Sequence, residues 1–312
     1  MVDVFAQQRY TGNQLAVVRG AGDLSDREMQ EIAAEMNYSE TTFIESEERS
    51  PGGYPIRVFT PETELPFAGH PTLGTARVLR ETVGDDSEED AAIPLSLGVG
   101  EVPVTIERGA DEQFWMRQPD PDFGERVGRS FAAGVLSTEE GDLDSDFAPR
   151  VVSTGLPTLV VPLRSIEAVR EARIDDANYG ELLDRTDAGF VLVVCAETTH
   201  PENDLHVRVF AEAHGVGEDP ATGSANGCLA AYLARERYFD SSIVEARVEQ
   251  GYELDRPSLL LLRASDAMST ADRTQNSAIE ERDGGKGRNG EGSGVEVRVG
   301  GRVLPVAEDE LL

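Results

Sequence analysis

The chain carries the same pattern twice. Thr11-Gly12-Asn13-Gln14-Leu15-Ala16-Val17-Val18 returns 143 positions later as Thr154-Gly155-Leu156-Pro157-Thr158-Leu159-Val160-Val161. Ile56-Arg57-Val58-Phe59 returns after 151 positions as Val207-Arg208-Val209-Phe210. Gly69-His70-Pro71-Thr72-Leu73-Gly74-Thr75-Ala76 has a weaker echo 149 positions on, Glu218-Asp219-Pro220-Ala221-Thr222-Gly223-Ser224-Ala225. A period of this length is a duplicated domain, not a solenoid repeat. The 312 residues suit two domains of ordinary size. We expect an N-terminal lobe over residues 1–125 and a C-terminal lobe over 126–312, the last strand packing back on the first lobe.

Each half reads as short β-type runs around one principal helix. The first half offers strands at residues 2–5, 16–18, 41–45 and 56–59. A helix over 26–36 follows Ser25, with Glu28 in the capping-box position, and a second helix runs from Pro71 to about Arg80. The second half offers strands at 151–152, 159–162, 190–195 and 206–210, with helices near 166–172 and 178–183. From Pro220 to Ala234 there is no charge, and most side chains are small. A helix without a polar face is a buried helix. Strands wrapping it on most sides give an α+β fold, two similar lobes, each a sheet rolled into a barrel around a central helix. No glycine-rich dinucleotide fingerprint follows a strand, which disfavours a Rossmann fold. Residues 265–294 are polar and glycine-rich, and read as a flexible insertion between strands at 258–263 and 295–299.

Net charge is −31, and Lys286 is the one lysine among 28 basic residues. That excludes a nucleic-acid surface, which needs a basic stripe, and an anionic membrane surface. The apolar runs are too short to span a bilayer, and the first residues lack the features of a secretory signal. Self-repulsion on this scale opposes compaction unless salt screens it. We therefore expect a cytoplasmic protein of a concentrated-salt interior. The expected partners are a small-molecule carboxylate and, optionally, a second copy in a homodimer, with no nucleic acid and no membrane.

The chemistry concentrates at the two principal helices. Asp219-Pro220 reads as a helix start, since Asp caps well and Pro suits the first turn. His70-Pro71 is its apparent counterpart, although His is a weak cap. Free N–H groups at two facing helix starts would hold a small carboxylate. Thr75 and Ser224 add hydroxyls, while Gly74 and Gly223 allow close approach. Glu40, at the entry to a strand, is not distinguished from other glutamates by spacing. Aligning Phe43 with Phe190 would place Asp187 opposite it. Cys195 and Cys228 lie in apolar contexts, without metal-ligand spacing, and read as core thiols.

The blocks Gly12–Val18, Ser39-Glu40-Thr41-Thr42-Phe43, Arg57-Val58-Phe59-Thr60-Pro61, residues 66–76, Ser153-Thr154-Gly155-Leu156-Pro157 and residues 219–225 resemble the PhzF, or phenazine biosynthesis, family. Arg256-Pro257-Ser258 extends the likeness. The resemblance implies the diaminopimelate-epimerase fold, with the site between two lobes. It also implies isomerisation by proton transfer with no cofactor and no metal. Glu40 would be the acid/base. Gly69, His70, Asp219, Gly223 and Ser224 would bind substrate. The cysteine racemases of this fold place one thiol at each helix start, where this chain has His70 and Asp219. A non-catalytic binding protein and an amino-acid epimerase or racemase are the alternatives.

Overall fold

The computed structural model describes residues 1–83, 92–266 and 294–310. The first half holds β1 (Val2–Val4), β2 (Asn13–Val18), α1 (Asp26–Met36), β3 (Thr41–Ile44), β4 (Tyr54–Phe59), β5 (Glu64–Leu65), α2 (Gly69–Val83), β6 (Ile93–Leu97), β7 (Gly100–Glu107) and β8 (Gln113–Arg117). Then come β9 (Asp122–Arg126), α3 (Arg129–Val135), β10 (Arg150–Ser153), β11 (Pro157–Pro162), α4 (Ile166–Glu171), α5 (Asp176–Thr186) and β12 (Phe190–Cys195). The chain continues through β13 (Leu205–Ala211), β14 (Val216–Asp219), α6 (Gly223–Glu236), β15 (Ile243–Gln250), β16 (Ser258–Asp266), β17 (Val295–Gly301) and β18 (Val303–Pro305).

Strand pairing shows the duplication strand for strand. One lobe runs β18-β1-β2-β3-β4-β6-β7-β8, with β5 on the free stretch of β4. The other runs β9-β10-β11-β12-β13-β15-β16-β17, with β14 on β13. Parallel and antiparallel pairs fall at the same places in both. The lobes join through β8 and β17. There Met116 pairs with Val299, its own duplicate by register, as a two-fold axis through an antiparallel pair requires. Among the described residues no pairing links the outer edges of either sheet, so the wrap is not closed by a ladder.

Each sheet wraps its principal helix. α2 touches β1, β2, β3, β6, β7, β8 and β18, and α6 touches β10, β11, β12, β15, β16 and β17. From Gly223 to Ala234 every residue of α6 is buried, as its uncharged sequence requires. One hydrophobic core runs through both lobes. Smaller cores lie where α3, α4 and α5 cover the second sheet and where α1 covers the first. α1 has the expected limits, with both halves of the Ser25–Glu28 capping box formed. β9 crosses the 125/126 boundary and pairs with β10, while β18 pairs with β1. Most of the 265–294 segment, residues 267–293, lies outside the described residues.

Register also corrects two equivalences drawn from the sequence. Val58 faces Leu65 where its duplicate Val209 faces Asp219, so Asp219 matches Leu65 rather than His70. With the helix starts superposed, Gly69 matches Gly223 and His70 matches Ser224. Likewise, Arg57 faces Phe43 and Arg208 faces Val193, so Phe43 matches Val193 and Glu40 matches Phe190. Asp187 is instead the exposed left-handed C-cap of α5, outside the site.

Candidate active site

The two principal helices meet end to end at glycines. A Cβ built on Gly69 would lie 3.4 Å from the Ser224 nitrogen and 3.5 Å from the Gly223 Cα. One built on Gly223 would lie 3.7 Å from both the Gly69 Cα and the His70 nitrogen. First-turn N–H groups of both helices, which have no acceptor within their helices, therefore share one small region. Ser224 and His70 are buried there.

Glu40 enters from the residue before β3. Its Oε2 stands 3.5 Å from His70 Nε2, and its side chain is 18% exposed. Neither atom has a hydrogen-bond partner among the described residues. Burial, with the Asp219 charge adding to it, pushes the Glu40 carboxyl up to about 8. Burial pushes His70 down to about 3, against a hydrogen bond its ring donates to the Gln14 backbone, which favours the charged form. At neutral pH the pair is thus a carboxylic acid facing a neutral imidazole, not an ion pair. A buried, unpartnered acid with a raised pKa beside a histidine marks this place as the candidate site.

Asp219 stands on the other lobe. It ends β14 and is not the cap of α6, whose N-cap is Thr222. The reason is Gln250, which donates from Nε2 to the Asp219 carbonyl at 2.7 Å and accepts from the Thr222 N–H at 3.2 Å. That holds residues 220–222 ahead of α6 rather than within it. The Asp219 carboxylate accepts from Thr222 Oγ1 at 2.5 Å and Asn13 Nδ2 at 2.9 Å. Burial nevertheless raises its pKa, opposed by those two donors and reinforced by the Glu218 charge.

Glu40, Gly69, His70, Asp219, Gly223 and Ser224 are thus brought together by direct or one-residue contacts. Thr75 points elsewhere, its hydroxyl 2.8 Å from that of Thr42. Gly74 packs on Leu15 and Val4 rather than facing the helix junction. Asn13, Thr222 and Gln250 belong to the site and were not singled out from sequence. They are uncharged, so no charge pattern marks them; Asn13 and Thr222 lie in repeated blocks, and Gln250 does not. Cys195 ends β12 and Cys228 lies inside α6, both buried. Burial pushes the Cys195 thiol up to about 12 and the Cys228 thiol upward as well. Neither is a nucleophile at a helix start. Among the described residues no cluster of His, Cys, Asp and Glu could hold a metal ion.

A two-lobed sheet-and-helix fold with a buried acid and a neutral histidine at two converging helix starts defines a class, the isomerases of the epimerase-like folds. Residues 2–281 match the family model for phenazine biosynthesis-like proteins, PhzC-PhzF. The trans-2,3-dihydro-3-hydroxyanthranilate isomerase of Pseudomonas aeruginosa is 36% identical over 86% of this chain and 90% of its own. An uncharacterized isomerase of Mesorhizobium japonicum is 34% identical over 84% of this chain and 88% of its own. The crystal structure of the Bacillus anthracis phenazine biosynthesis protein of the PhzF family superposes with a TM-score of 0.82 at 26% identity, covering 100% of this chain and 97% of that one. This chain belongs to the phenazine biosynthesis-like family and is an isomerase.

Proposed function

We propose that the chain moves a proton between two carbons of a small carboxylate-bearing substrate, with Glu40 as the acid/base and no cofactor in the scheme. The supporting observation is the Glu40–His70 pair, whose facing atoms Oε2 and Nε2 stand 3.5 Å apart with no hydrogen-bond partner among the described residues. A carboxyl held at about 8 can both take and return a proton near working pH. The substrate carboxylate sits on the N–H groups of Gly69, Gly223 and Ser224, where two helix dipoles add. Asp219 and His70 orient the polar groups of the reacting ring or chain. Glu40, as carboxylate, removes a proton from one carbon and returns it to another. His70 Nε2 accepts a hydrogen bond from the protonated form.

The relative from Pseudomonas makes trans-2,3-dihydro-3-hydroxyanthranilate the first compound to try. Incubation in deuterated buffer should place deuterium on a ring carbon of product or recovered substrate. Glu40→Gln keeps the shape and should lower that exchange by about 10²–10⁴, with binding little changed. Exchange at the parent rate in Glu40→Gln would refute the assignment. Binding of the compound without exchange in the parent would favour the non-catalytic alternative.

A further inference from the structure

Asn13 is buried at the first residue of β2. Its single amide nitrogen reaches across the lobe junction, to Asp219 Oδ1 at 2.9 Å and to the Ala221 carbonyl at 3.1 Å. The same nitrogen stands 3.4 Å from His70 Nδ1. One residue thus touches both lobes' contributions to the site. Its own position is fixed from the second lobe. Arg256 donates to the Gly12 carbonyl at 2.7 Å and the Thr11 carbonyl at 2.9 Å, and pairs with Asp3 at 2.9 Å. Gly12 must be glycine, since it has φ of 72° and a Cβ there would lie 2.3 Å from the Val4 carbonyl oxygen.

We propose that Asn13 is a positioning residue for the proton transfer, fixing the Asp219 carboxylate opposite Glu40 from across the lobe junction. The inference rests on the proposed role of Glu40. The duplication supports it. By the registers of β1 with β2 and β10 with β11, Asn13 matches Leu156, a partly exposed apolar side chain. The twin turn keeps its positive-φ glycine, Gly155, and needs no amide. The fold therefore does not ask for Asn at this place, and the site does.

The consequence is electrostatic. A hydrogen bond donated to a carboxylate favours its charged form. The Asp219 charge in turn raises the proton affinity of Glu40. The other groups facing this pair are His70 from α2, neutral by burial, and Glu218 from β14, neutralised by Arg208 at 2.7 Å. Asp3 and Arg256 pair with each other behind the Asn13 turn. Without the Asn13 donor, Asp219 holds its own proton more tightly and Glu40 loses a repelling neighbour.

The test is Asn13→Leu, which keeps the branched outline but removes the donor. The Glu40 carboxyl is titrated by carbon NMR in protein labelled at the glutamate carboxyls, with Glu40→Gln locating the resonance. The pH profile of deuterium exchange into trans-2,3-dihydro-3-hydroxyanthranilate is recorded beside it. The Glu40 midpoint should fall by about one pH unit, and exchange should drop about tenfold at unchanged affinity. A midpoint that stays put in the folded variant overturns the proposal, even if the rate falls. Asn13→Ser, too short to reach Asp219 but polar, gives the same reading should the leucine variant not fold. If Glu40→Gln exchanges normally, the acid/base assignment fails by itself, and the NMR midpoint still decides the role of Asn13.

Discussion

Glu40 lives in an environment that favours its neutral form, so its protonation is coupled to folding. A carboxyl raised to about 8 in the fold binds its proton more tightly folded than unfolded, where it titrates near 4.5. Its presence is therefore harmless below about 4.5, and stability is lost progressively as pH rises from there through about 8. The loss is on the order of a few kcal/mol. His70 works in the opposite direction, with a folded pKa of about 3 against 6.5, so its contribution is lost as pH falls below 6.5. Glu40→Gln should match the parent's urea midpoint near pH 5 and exceed it near pH 9. His70 is common to both proteins and cancels in the difference. Equal midpoints at both pH values would show that Glu40 is not held neutral. The cysteines make a second case. Thiols pushed upward and fully buried should not react with a disulfide reagent in the native protein at pH 8, and both should react once urea unfolds it. Cys195→Ser with Cys228→Ser should lose some stability, because a smaller, more polar hydroxyl replaces each buried sulfur even though Glu197, Thr154 and Leu156 offer it partners, while folded molecules keep turnover.

At the scale of elements, local signals read well where the residues involved are neighbours in sequence. α1 was legible to the residue, because Ser25 and Glu28 satisfy each other across one turn. β12 was legible because its six apolar residues form a strand buried on both faces. The start of α6 was not legible. Asp219-Pro220 has the composition of a cap, but Gln250, some thirty residues on, bends that segment into an approach instead. Strands β6 to β9 carry no sequence assignment above: β6, β7 and β8 pair with one another as local hairpins, and only their links to β4 and β17, and that of β9 to β10, span longer separations. Half the site was legible only through family motifs. Its acids and glycines sit in recognisable blocks, while Gln250 acts through geometry alone. The β8–β17 junction supplies an element-scale prediction. A Cβ on Gly300 would lie 2.3 Å from the Trp115 ring, which also carries Arg263 at 4.0 Å from its centroid. Gly300→Ala should cost about 1–3 kcal/mol, seen as a lower urea midpoint with exchange chemistry retained in folded protein.

Across the whole molecule, the duplicated positions divide into those that stayed alike and those that diverged. Arg57 with Glu64 and Arg208 with Glu218 are twin bidentate clamps, each holding a short strand that leads to a principal helix. Gly12 with Gly155 and Gly69 with Gly223 are likewise kept. Glu40 against Phe190, His70 against Ser224 and Asp219 against Leu65 diverged, and these make an asymmetric site from a symmetric frame. Around that frame lies a net charge of −31. We propose that folding needs concentrated salt, since at about 1 M the Debye length is about 3 Å and repulsion between surface carboxylates is screened. The thermal midpoint should climb between about 0.1 M and about 3 M KCl, a range set around that screening length, and a flat or falling curve would remove the halophilic reading. The returning strand β18 has a consequence for biosynthesis. Val2 waits for Pro305, a partner 303 positions downstream. The first lobe's edge therefore stays bare on the ribosome while the second lobe is being made, and such distant pairing is slow to form. A nascent chain stalled in β17 would present β1 as an open template to neighbouring polysomes, an aggregation hazard that persists until β18 is made.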